Sequence, residues 1–217
     1  MRITKTLFIS AVLLMSATGL QAAGFVQKGN YLTVQMKEHQ NYGPSQIRLQ
    51  VVNDQIIRVQ ATAEQSFRNK QSLIIVPQNS KANYKVEEQG DKLIITTAAM
   101  RAVLNEATGQ ITFYDLKDNV LLNEVAQGGK TFKPFTVPDR EIGVDIAKVP
   151  EAQKHGWSWR ALFDSPDNEA FYGLGQHQSE ELNMKGKNED LFQYNTKVSV
   201  PFVISNKNYG ILWDSYS

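Results

Sequence analysis

Acidic side chains cluster in one stretch of the 217-residue chain, where they could act as general acids and bases. Glycoside hydrolysis needs two carboxylates that face each other across the scissile bond. The sequence alone does not place any two of these residues across a cleft, so solvated loop carboxylates are the simpler interpretation. The residues concerned are Asp164, Asp167, Glu169, Glu180, Glu181, Glu189 and Asp190.

Histidine, glycine and cysteine usage argues against a metal or cofactor. No two of the three histidines lie at metal-ligand spacing; they are His39, His155 and His177. Gly173 and Gly175 begin a nucleotide-binding fingerprint, but its third glycine is replaced by Gln178 and no βαβ pattern surrounds it. The chain has no cysteine, which excludes a thiol nucleophile, a Cys-ligated zinc and an iron–sulfur cluster. We therefore predict no metal site and no cofactor.

Aromatic residues are denser in the second half of the chain, from Trp157 to Tyr216. An exposed ring can stack on the C–H face of a sugar, so exposed members would form a saccharide platform. Aromatic side chains also fill the cores of β-sandwiches. We expect most of these residues to be core residues.

Composition and charge narrow the class of protein. A formal net charge of +1 argues against a nucleic-acid partner, which calls for a concentrated basic surplus. The 41% hydrophobic and 10% aromatic content argues against disorder. The length predicts one domain or two small ones, with enough chain to bury a core.

Residues 1–23 have the order of a secretory signal peptide. Arg2 and Lys5 precede an apolar run over 7–17, and the segment 20–23 (LQAA) then offers small alanines for cleavage. The run is too short to span a bilayer, so we predict no membrane span. An amphipathic first helix is disfavoured, because no charged residue occurs from Thr6 to Val26. Without a cysteine there is no lipid-anchor site, and the mature protein is expected to be periplasmic or secreted.

The rest of the chain alternates apolar and polar residues between frequent turn signals. The short intervals between these turns leave no room for an amphipathic helix. They predict an all-β fold, an antiparallel β-sandwich or barrel. The stretch between Gly128 and Pro150 is less regular, and we expect either a crossover between two sheets or a seam there. The predicted strands cover 47–51, 57–61, 73–76, 84–88, 92–97, 100–104, 110–114, 120–123, 198–204 and 209–213.

Four segments of the second half resemble the N-terminal domain of glycoside hydrolase family 31, the α-glucosidase and α-xylosidase family. Their order and spacing both agree with that family. The succession of LNMKGK and QYNT is most similar to α-xylosidase-type members from bacteria that degrade plant polysaccharides. The segments are EAFYGLGQH (169–177), LNMKGKNEDLFQYNT (182–196), VPFVIS (200–205) and NYGILWD (208–214).

This resemblance implies a galactose-mutarotase-like β-sandwich over 24–217, with a first portion at 24–149 and the family motifs at 150–217. It also implies a downstream (β/α)₈ barrel that carries the two catalytic aspartates. No segment of this chain matches their motifs, so we expect no catalytic residue here. The complete polypeptide would be a retaining α-glycosidase that acts on plant or dietary oligosaccharides, and the sandwich would expose an apolar face towards the barrel.

The resemblance further implies that a loop of the sandwich can reach over the barrel and contact carbohydrate. We predict that this loop is 176–190, which is long and polar as functional loops tend to be. It could instead only dock on the barrel. At Gln176 many family members carry Glu, so we do not expect an acid there. The candidate carbohydrate-binding residues are Gln176, His177, Asn183, Lys185 and Asp190.

Two other functions remain open at this point. One is a free-standing periplasmic carbohydrate-binding sandwich without catalytic activity, which would need no barrel. The other is an aldose mutarotase, which needs a general acid and a general base at the sugar ring. For that chemistry, His177 with Glu180 or Glu181 is the candidate set.

Overall fold

The computed structural model describes residues 24–36, 42–68, 70–76, 82–127, 129–137, 145–178 and 181–214. The predicted signal peptide lies outside the described residues. The described part of the chain is nearly all β, and every strand pairing in it is antiparallel. The predicted all-β antiparallel fold is therefore confirmed, and it is consistent with a galactose-mutarotase-like sandwich.

Two sheets of consecutive hairpins form the first part of the fold. The four-stranded sheet has the order β1-β2-β3-β4, and the six-stranded sheet has the order β12-β9-β8-β7-β6-β5. Except for β12, each strand therefore pairs with its neighbour in the chain. The strands are β1 (Phe25–Lys28), β2 (Tyr31–Gln35), β3 (Gln46–Asn53), β4 (Ile56–Thr62), β5 (Lys85–Gln89), β6 (Lys92–Thr96), β7 (Met100–Asn105), β8 (Ile111–Asp115), β9 (Val120–Glu124) and β12 (Phe163–Asp164).

Two smaller sheets follow. A two-stranded sheet pairs β10 (Lys130–Thr136) with β11 (His155–Ala161). β10 lies in the predicted first portion, 24–149, and β11 lies in the predicted second portion, 150–217. The segment between them contains a 3₁₀ turn, Ile146–Lys148, and a single helical turn, α1 (Glu151–Lys154). The last sheet has the order β13-β14-β15, with the bounds Phe171–Gln176, Val198–Ser205 and Tyr209–Leu212.

The buried core lies between the four-stranded and six-stranded sheets and is aliphatic. Alternation along β3 places Ile47, Leu49 and Val51 on its inner face, as the sequence pattern predicts. Full burial of such a side chain stabilises the fold by about 1.5–3 kcal/mol relative to exposure. The inner residues of the two sheets form one cluster, Leu32, Val34, Met36, Ile47, Leu49, Val51, Leu93, Ile95, Leu104 and Ile111.

The apolar run at 73–76, which we predict to be a strand, is not one. The Ser72 hydroxyl accepts hydrogen bonds from the backbone N–H groups of Ile74 (3.2 Å) and Ile75 (3.0 Å). These are donors that a strand would use in its ladder, so the local turn replaces the extended conformation. Leu73 and Val76 are 86% and 76% exposed.

The expectation that the aromatic residues of the second half fill the core is also wrong. Among the described residues, each of these side chains keeps some exposure to solvent, and Trp157 and Trp159 are exposed. The Trp213 ring lies 5.4 Å from that of Trp159 and 6.1 Å from that of Phe163. Because the aliphatic residues of the first two sheets already fill the core, these rings instead join the later strands to one another.

Asp214 ties the end of the last sheet to the first one. Its carboxylate accepts hydrogen bonds from the Arg58 guanidinium on β4, at 2.5 Å, and from the Ser72 hydroxyl, at 2.6 Å. The Asp214 side chain is only 14% exposed to solvent. Bonds to a charged partner are stronger than those between neutral groups, so this contact positions β15 against β4.

A buried ion pair fixes β10 to the six-stranded sheet. The Lys130 ammonium donates to the Glu124 carboxylate and to the carbonyl of Gly109, and Glu124 also accepts the backbone N–H of Ile111 at 2.8 Å. Burial lowers the pKa of the Lys130 ammonium and raises the pKa of the Glu124 carboxyl, while their mutual attraction opposes both shifts. Either charge alone would therefore be costly to bury.

Replacing Lys130 with methionine tests this role. We expect Lys130→Met to lower the free energy of unfolding by about 3–5 kcal/mol, because the Glu124 carboxylate would stay buried without its cation. The matched control is Lys187→Met, which removes the exposed pair with Glu181 and should change stability by less than about 0.5 kcal/mol. Chemical denaturation measures both. Equal stability of the two variants would contradict the assignment.

Candidate functional site

A local irregularity between β13 and β14 shapes the start of the predicted loop. Gly173 pairs with Val203 and Gly175 pairs with Ser199, so two steps along β13 span four along β14. The backbone at Gly173 and Gly175 has φ of +118° and +106°, a region that side-chain-bearing residues rarely adopt. A Cβ at Gly175 would lie 2.1 Å from the carbonyl oxygen of Val198. Glycine is therefore required here.

His177 follows this irregularity and is enclosed by the loop. Its Nε2 donates to the carbonyl oxygen of Leu174 at 2.8 Å, and its side chain is only 8% exposed. Leu174 reaches this position with a positive φ of +64°. Nδ1 lies 3.4 Å from Oε2 of Glu189, at ion-pair distance without hydrogen-bond geometry. The imidazole therefore links the two ends of the loop and is closed to a sugar.

Lys197 fastens the far end of the same loop. Its Nζ donates to the carbonyl oxygen of Asp190 at 2.6 Å and lies 3.8 Å from Oε2 of Glu189. The Glu189 carboxylate therefore lies between two side chains: His177, directly after β13, and Lys197, directly before β14. This arrangement holds the backbone at 189 and 190 beside β13 and the start of β14.

Asn183 and Lys185 anchor the middle of the loop. Oδ1 of Asn183 accepts the backbone N–H groups of Phe171, at 3.0 Å, and of Lys185, at 3.1 Å. The Lys185 ammonium donates to the carbonyl oxygen of Pro166. Between them, Met184 is buried and its N–H donates to Phe171. Both predicted binding residues thus have a structural partner inside the chain.

Gln176 and Asp190 differ from the other three candidates. Both side chains are exposed, and neither forms a side-chain hydrogen bond within the described residues. They lie at the two ends of the loop. The contact of His177 with Glu189 joins these ends, and Lys197 holds the backbone at Asp190. Of the five predicted residues, His177, Asn183 and Lys185 each use a side-chain atom to hold the loop, whereas Gln176 and Asp190 do not.

Of the acid–base set considered for a mutarotase, the structure describes His177 and Glu181, and these two side chains are not paired with each other. Glu180 lies outside the described residues, and the Glu181 carboxylate pairs with Lys187 at 2.7 Å. The acidic neighbour of His177 is Glu189, and the imidazole is enclosed. General acid–base catalysis needs a group within hydrogen-bond reach of the substrate. The geometry therefore does not favour sugar mutarotation.

Two exposed aromatic rings lie just beyond the loop. Phe192 and Tyr194 are stacked with ring centroids 5.8 Å apart and an interplanar angle of 29°. They are 63% and 54% exposed. Our sequence reasoning grouped them with core aromatics, although polar residues flank them in FQYNT rather than an apolar alternation. Such a pair is suited to stacking against an apolar sugar face.

An apolar surface covers one side of the last sheet. Every second side chain of β14 contributes to it, and Tyr172 and Leu212 lie directly opposite members of this set on the neighbouring strands. All of these side chains are exposed, whereas the intervening residues of β14 are more buried. We call this surface the β14 face; it consists of Val198, Val200, Phe202, Ile204, Tyr172 and Leu212.

The first residue of the first family segment, Glu169, is a buried carboxylate that joins the start of β13 to the rest of the sheet. Glu169 accepts hydrogen bonds from the hydroxyls of Ser205, at 2.6 Å, and Tyr209, at 2.7 Å. Burial, and next the bond to this carboxylate, raise the pKa of Tyr209 well above its ordinary value. The phenol thus stays a donor at any physiological pH, and the contact holds β13, β14 and β15 together.

No group of three or more histidine or acidic side chains that could hold a metal ion occurs in the described ranges. Across the same residues, none of the helical segments has the length and apolar character needed to cross a membrane.

These features coincide with a known family. The sequence model of the glycosyl hydrolase 31 N-terminal galactose mutarotase-like domain matches residues 46–217. The chain belongs to this family, and the resemblance identified from its motifs is confirmed. The glycine irregularity, the loop and the β14 face all lie within the matched region.

Similar proteins carry glycosidase names. The chain is 26% identical over 178 residues to an uncharacterized family 31 glucosidase of Pseudescherichia vulneris, covering 78% of this chain and 32% of that one. It is 25% identical over 185 residues to an α-xylosidase of Saccharolobus solfataricus, covering 81% of this chain and 23% of the relative. The chain thus spans a third or less of the length of these curated relatives.

Solved structures agree with this assignment. A family 31 α-xylosidase from Xanthomonas citri superposes with a TM-score of 0.73 at 36% identity, covering 87% of this chain and 18% of that one. A family 31 α-xylosidase from a soil metagenome, complexed with xylose, gives 0.65 at 26% identity, with coverages of 88% and 28%.

Adding a methyl group at Gly175 tests the irregularity. We expect Gly175→Ala to lower the free energy of unfolding by at least about 2 kcal/mol, because its Cβ would clash with backbone at a strained φ. Gly156→Ala on β11 is the matched control, since its Cβ meets nothing within 4 Å. That control should stay within about 0.5 kcal/mol of the wild type. A tolerated Gly175→Ala in a denaturation series would show that the close approach is absent.

Proposed function

We propose that this chain is the mutarotase-like domain of an exported retaining α-glycosidase, an α-xylosidase or α-glucosidase that acts on plant or dietary oligosaccharides. In this proposal the domain supports the catalytic barrel of the same polypeptide and contributes loop 176–190 to carbohydrate binding. The observation that carries the proposal is the exposed β14 face beside an anchored loop with two unpartnered polar side chains.

The β14 face supports a partner domain. Phe202, Ile204 and their neighbours form a contiguous apolar patch, which soluble monomers rarely expose unless it is an interaction site. A strand that is apolar on its exposed face and half-buried on the other is typical of a sheet covered on both sides. The much greater length of the family relatives favours a covering domain in the same polypeptide.

The loop supports a role in carbohydrate binding. Its backbone is held by His177, Asn183 and Lys197, so Gln176 and Asp190 are presented on a fixed frame. Side chains on a supported loop lose little conformational entropy when they bind a ligand. The amide of Gln176 can both donate to and accept from a sugar hydroxyl, and the carboxylate of Asp190 can accept. Phe192 and Tyr194 add an apolar surface next to them.

In the proposed enzyme, the barrel carries out catalysis and the present chain binds the sugar. A retaining glycosidase uses one carboxylate as nucleophile and a second carboxyl group as acid and base, about 5–5.5 Å apart. We assign both groups to the barrel. The present chain would bind and orient the sugar and exclude water at the rim. Export by the predicted signal peptide, into the periplasm or outside the cell, completes the proposal.

The size of the native polypeptide tests the proposed partner domain. We expect an antibody against residues 24–217 to detect a band several times heavier than 24.4 kDa, because the barrel would be part of the same chain. A band slightly below 24.4 kDa would contradict this and would favour the free-standing carbohydrate-binding sandwich. N-terminal sequencing of the band would show whether residues 1–23 are removed.

Substitutions in the loop test its role. In the complete enzyme, with an aryl α-xyloside or α-glucoside as substrate, we expect Gln176→Ala and Asp190→Ala to reduce kcat/KM by about 2- to 10-fold each. That is the effect of removing one hydrogen bond to the sugar. The control is Glu181→Ala, which lies in the same loop and pairs with Lys187. If all three variants match the wild type, the loop only docks on the barrel.

A further inference from the structure

A concave surface lies on the outer face of the six-stranded sheet, away from the aliphatic core. It is an open groove of about 450 Å³, a volume within the size range of small-molecule sites. Its side chains come from β5–β8 and from the turn after β8, so it shares no residue with loop 176–190. We call it the outer groove; it is lined by Glu87, Gln89, Lys92, Ile94, Thr96, Arg101, Val103, Tyr114, Asp115, Leu116 and Asp118.

Cross-strand pairing arranges this lining in rows. Arg101 is paired with Thr96 on one side and with Tyr114 on the other. In the next row, Ile94 is paired with Val103 and with Glu87. Directly paired residues lie on the same face of a sheet, so apolar and polar groups alternate across the groove. A ligand with apolar faces and polar edges, as a pyranose ring has, matches such a surface.

The charges of the outer groove nearly cancel. Arg101 forms an ion pair with Asp118 at 2.6 Å, and the Asp115 carboxylate accepts three hydrogen bonds inside its own turn. The charges left without a partner within the described residues are one acidic, Glu87, and one basic, Lys92. In sum the lining carries two cations and three carboxylates, and this small negative surplus favours a neutral polar ligand over a phosphate, a nucleic acid or a uronic acid.

The main hydrogen-bond donor of the groove is held in place. The Arg101 guanidinium lies 4.7 Å above the centre of the Tyr114 ring while it pairs with Asp118. The turn that carries Asp118 is fixed by the hydrogen bonds of Asp115 with Lys117 and Asn119. Those bonds, above all from Asn119, lower the pKa of the Asp115 carboxyl, so it stays ionised under mildly acidic conditions. A fixed guanidinium donates its remaining N–H groups at little entropic cost.

We propose that the outer groove is a second, non-catalytic carbohydrate-binding site that takes a neutral oligosaccharide. Arg101 and Thr96 would bond its hydroxyl groups, and Ile94, Val103 and Leu116 would contact its apolar faces. The site would attach the protein to a glycan while the loop at 176–190 meets the reacting sugar. It depends on the chemistry of the groove alone and does not require the proposed glycosidase activity.

Calorimetric titration of the polypeptide, in the form in which the cell makes it, tests this site. The probes are cellohexaose, xylohexaose and mannohexaose, whose β-linkages an α-glycosidase leaves intact, and trigalacturonate as an anionic probe. We expect saturable binding of at least one neutral hexasaccharide and none of trigalacturonate. Arg101→Ala should weaken that binding about 10-fold or more, the effect of losing a charged donor. Val103→Tyr, which fills the groove floor, should abolish it.

The matched control is Arg48→Ala on the outer face of the other sheet. Arg48 also lies over aromatic rings, 5.0 Å from the centre of Tyr31 and 4.2 Å from that of Phe67, but it does not line the groove. The Arg48→Ala variant should bind the neutral hexasaccharide with wild-type affinity. All variants should keep the wild-type kcat/KM on a small aryl glycoside. Absence of binding to every neutral probe overturns the proposal. Wild-type affinity in both groove variants, with melting temperatures showing that they fold, overturns it as well.

Discussion

Burial of aliphatic side chains between the four-stranded and six-stranded sheets is the interaction on which the rest of this structure depends. Leu49 and Ile95, with their neighbours, are shielded completely from water, whereas the described residues form no comparable layer under β13–β15. The later strands are attached to this core through specific polar and aromatic contacts. Lys130 joins β10 to the six-stranded sheet, and Asp214 joins β15 to the first sheet. The core therefore provides stability, and the later strands present the β14 face and loop 176–190.

The later strands, β13–β15, are held together by different interactions from those in the core. In β13–β15 the backbone is set by glycine and by buried polar groups, such as Gly175 and Glu169, rather than by apolar packing. The apolar side chains of β14 point outward and are exposed, and in our proposal another domain covers them. A part of the chain whose framework is polar and whose surface is apolar is typical of an interface. This reversal is the physical basis for proposing a partner domain on the β14 face.

Alternation predicted β3 and most of the hairpins of the first two sheets well, since one dry face leaves a period of two in the sequence. It also predicted β14, but alternation does not tell whether the apolar face meets a core or another domain. The run at 73–76 was predicted wrongly because Ser72 satisfies its amides locally. In the candidate site, the motifs located His177 and Asn183. Their internal partners, Leu174 and Phe171, depend on how the loop folds back, which spacing along the chain does not encode.

The pairing of nearly every strand with its neighbour in the chain has a consequence for how the protein folds. Contacts of this kind are local in sequence, so little loop entropy opposes the formation of each hairpin. The meanders β1–β4 and β5–β9 can form as soon as their residues emerge during synthesis, before β13–β15 exist. In a longer polypeptide, the β14 face would then be displayed to the surroundings until the next domain folds. That interval is when the nascent chain is most prone to aggregate and most in need of a chaperone.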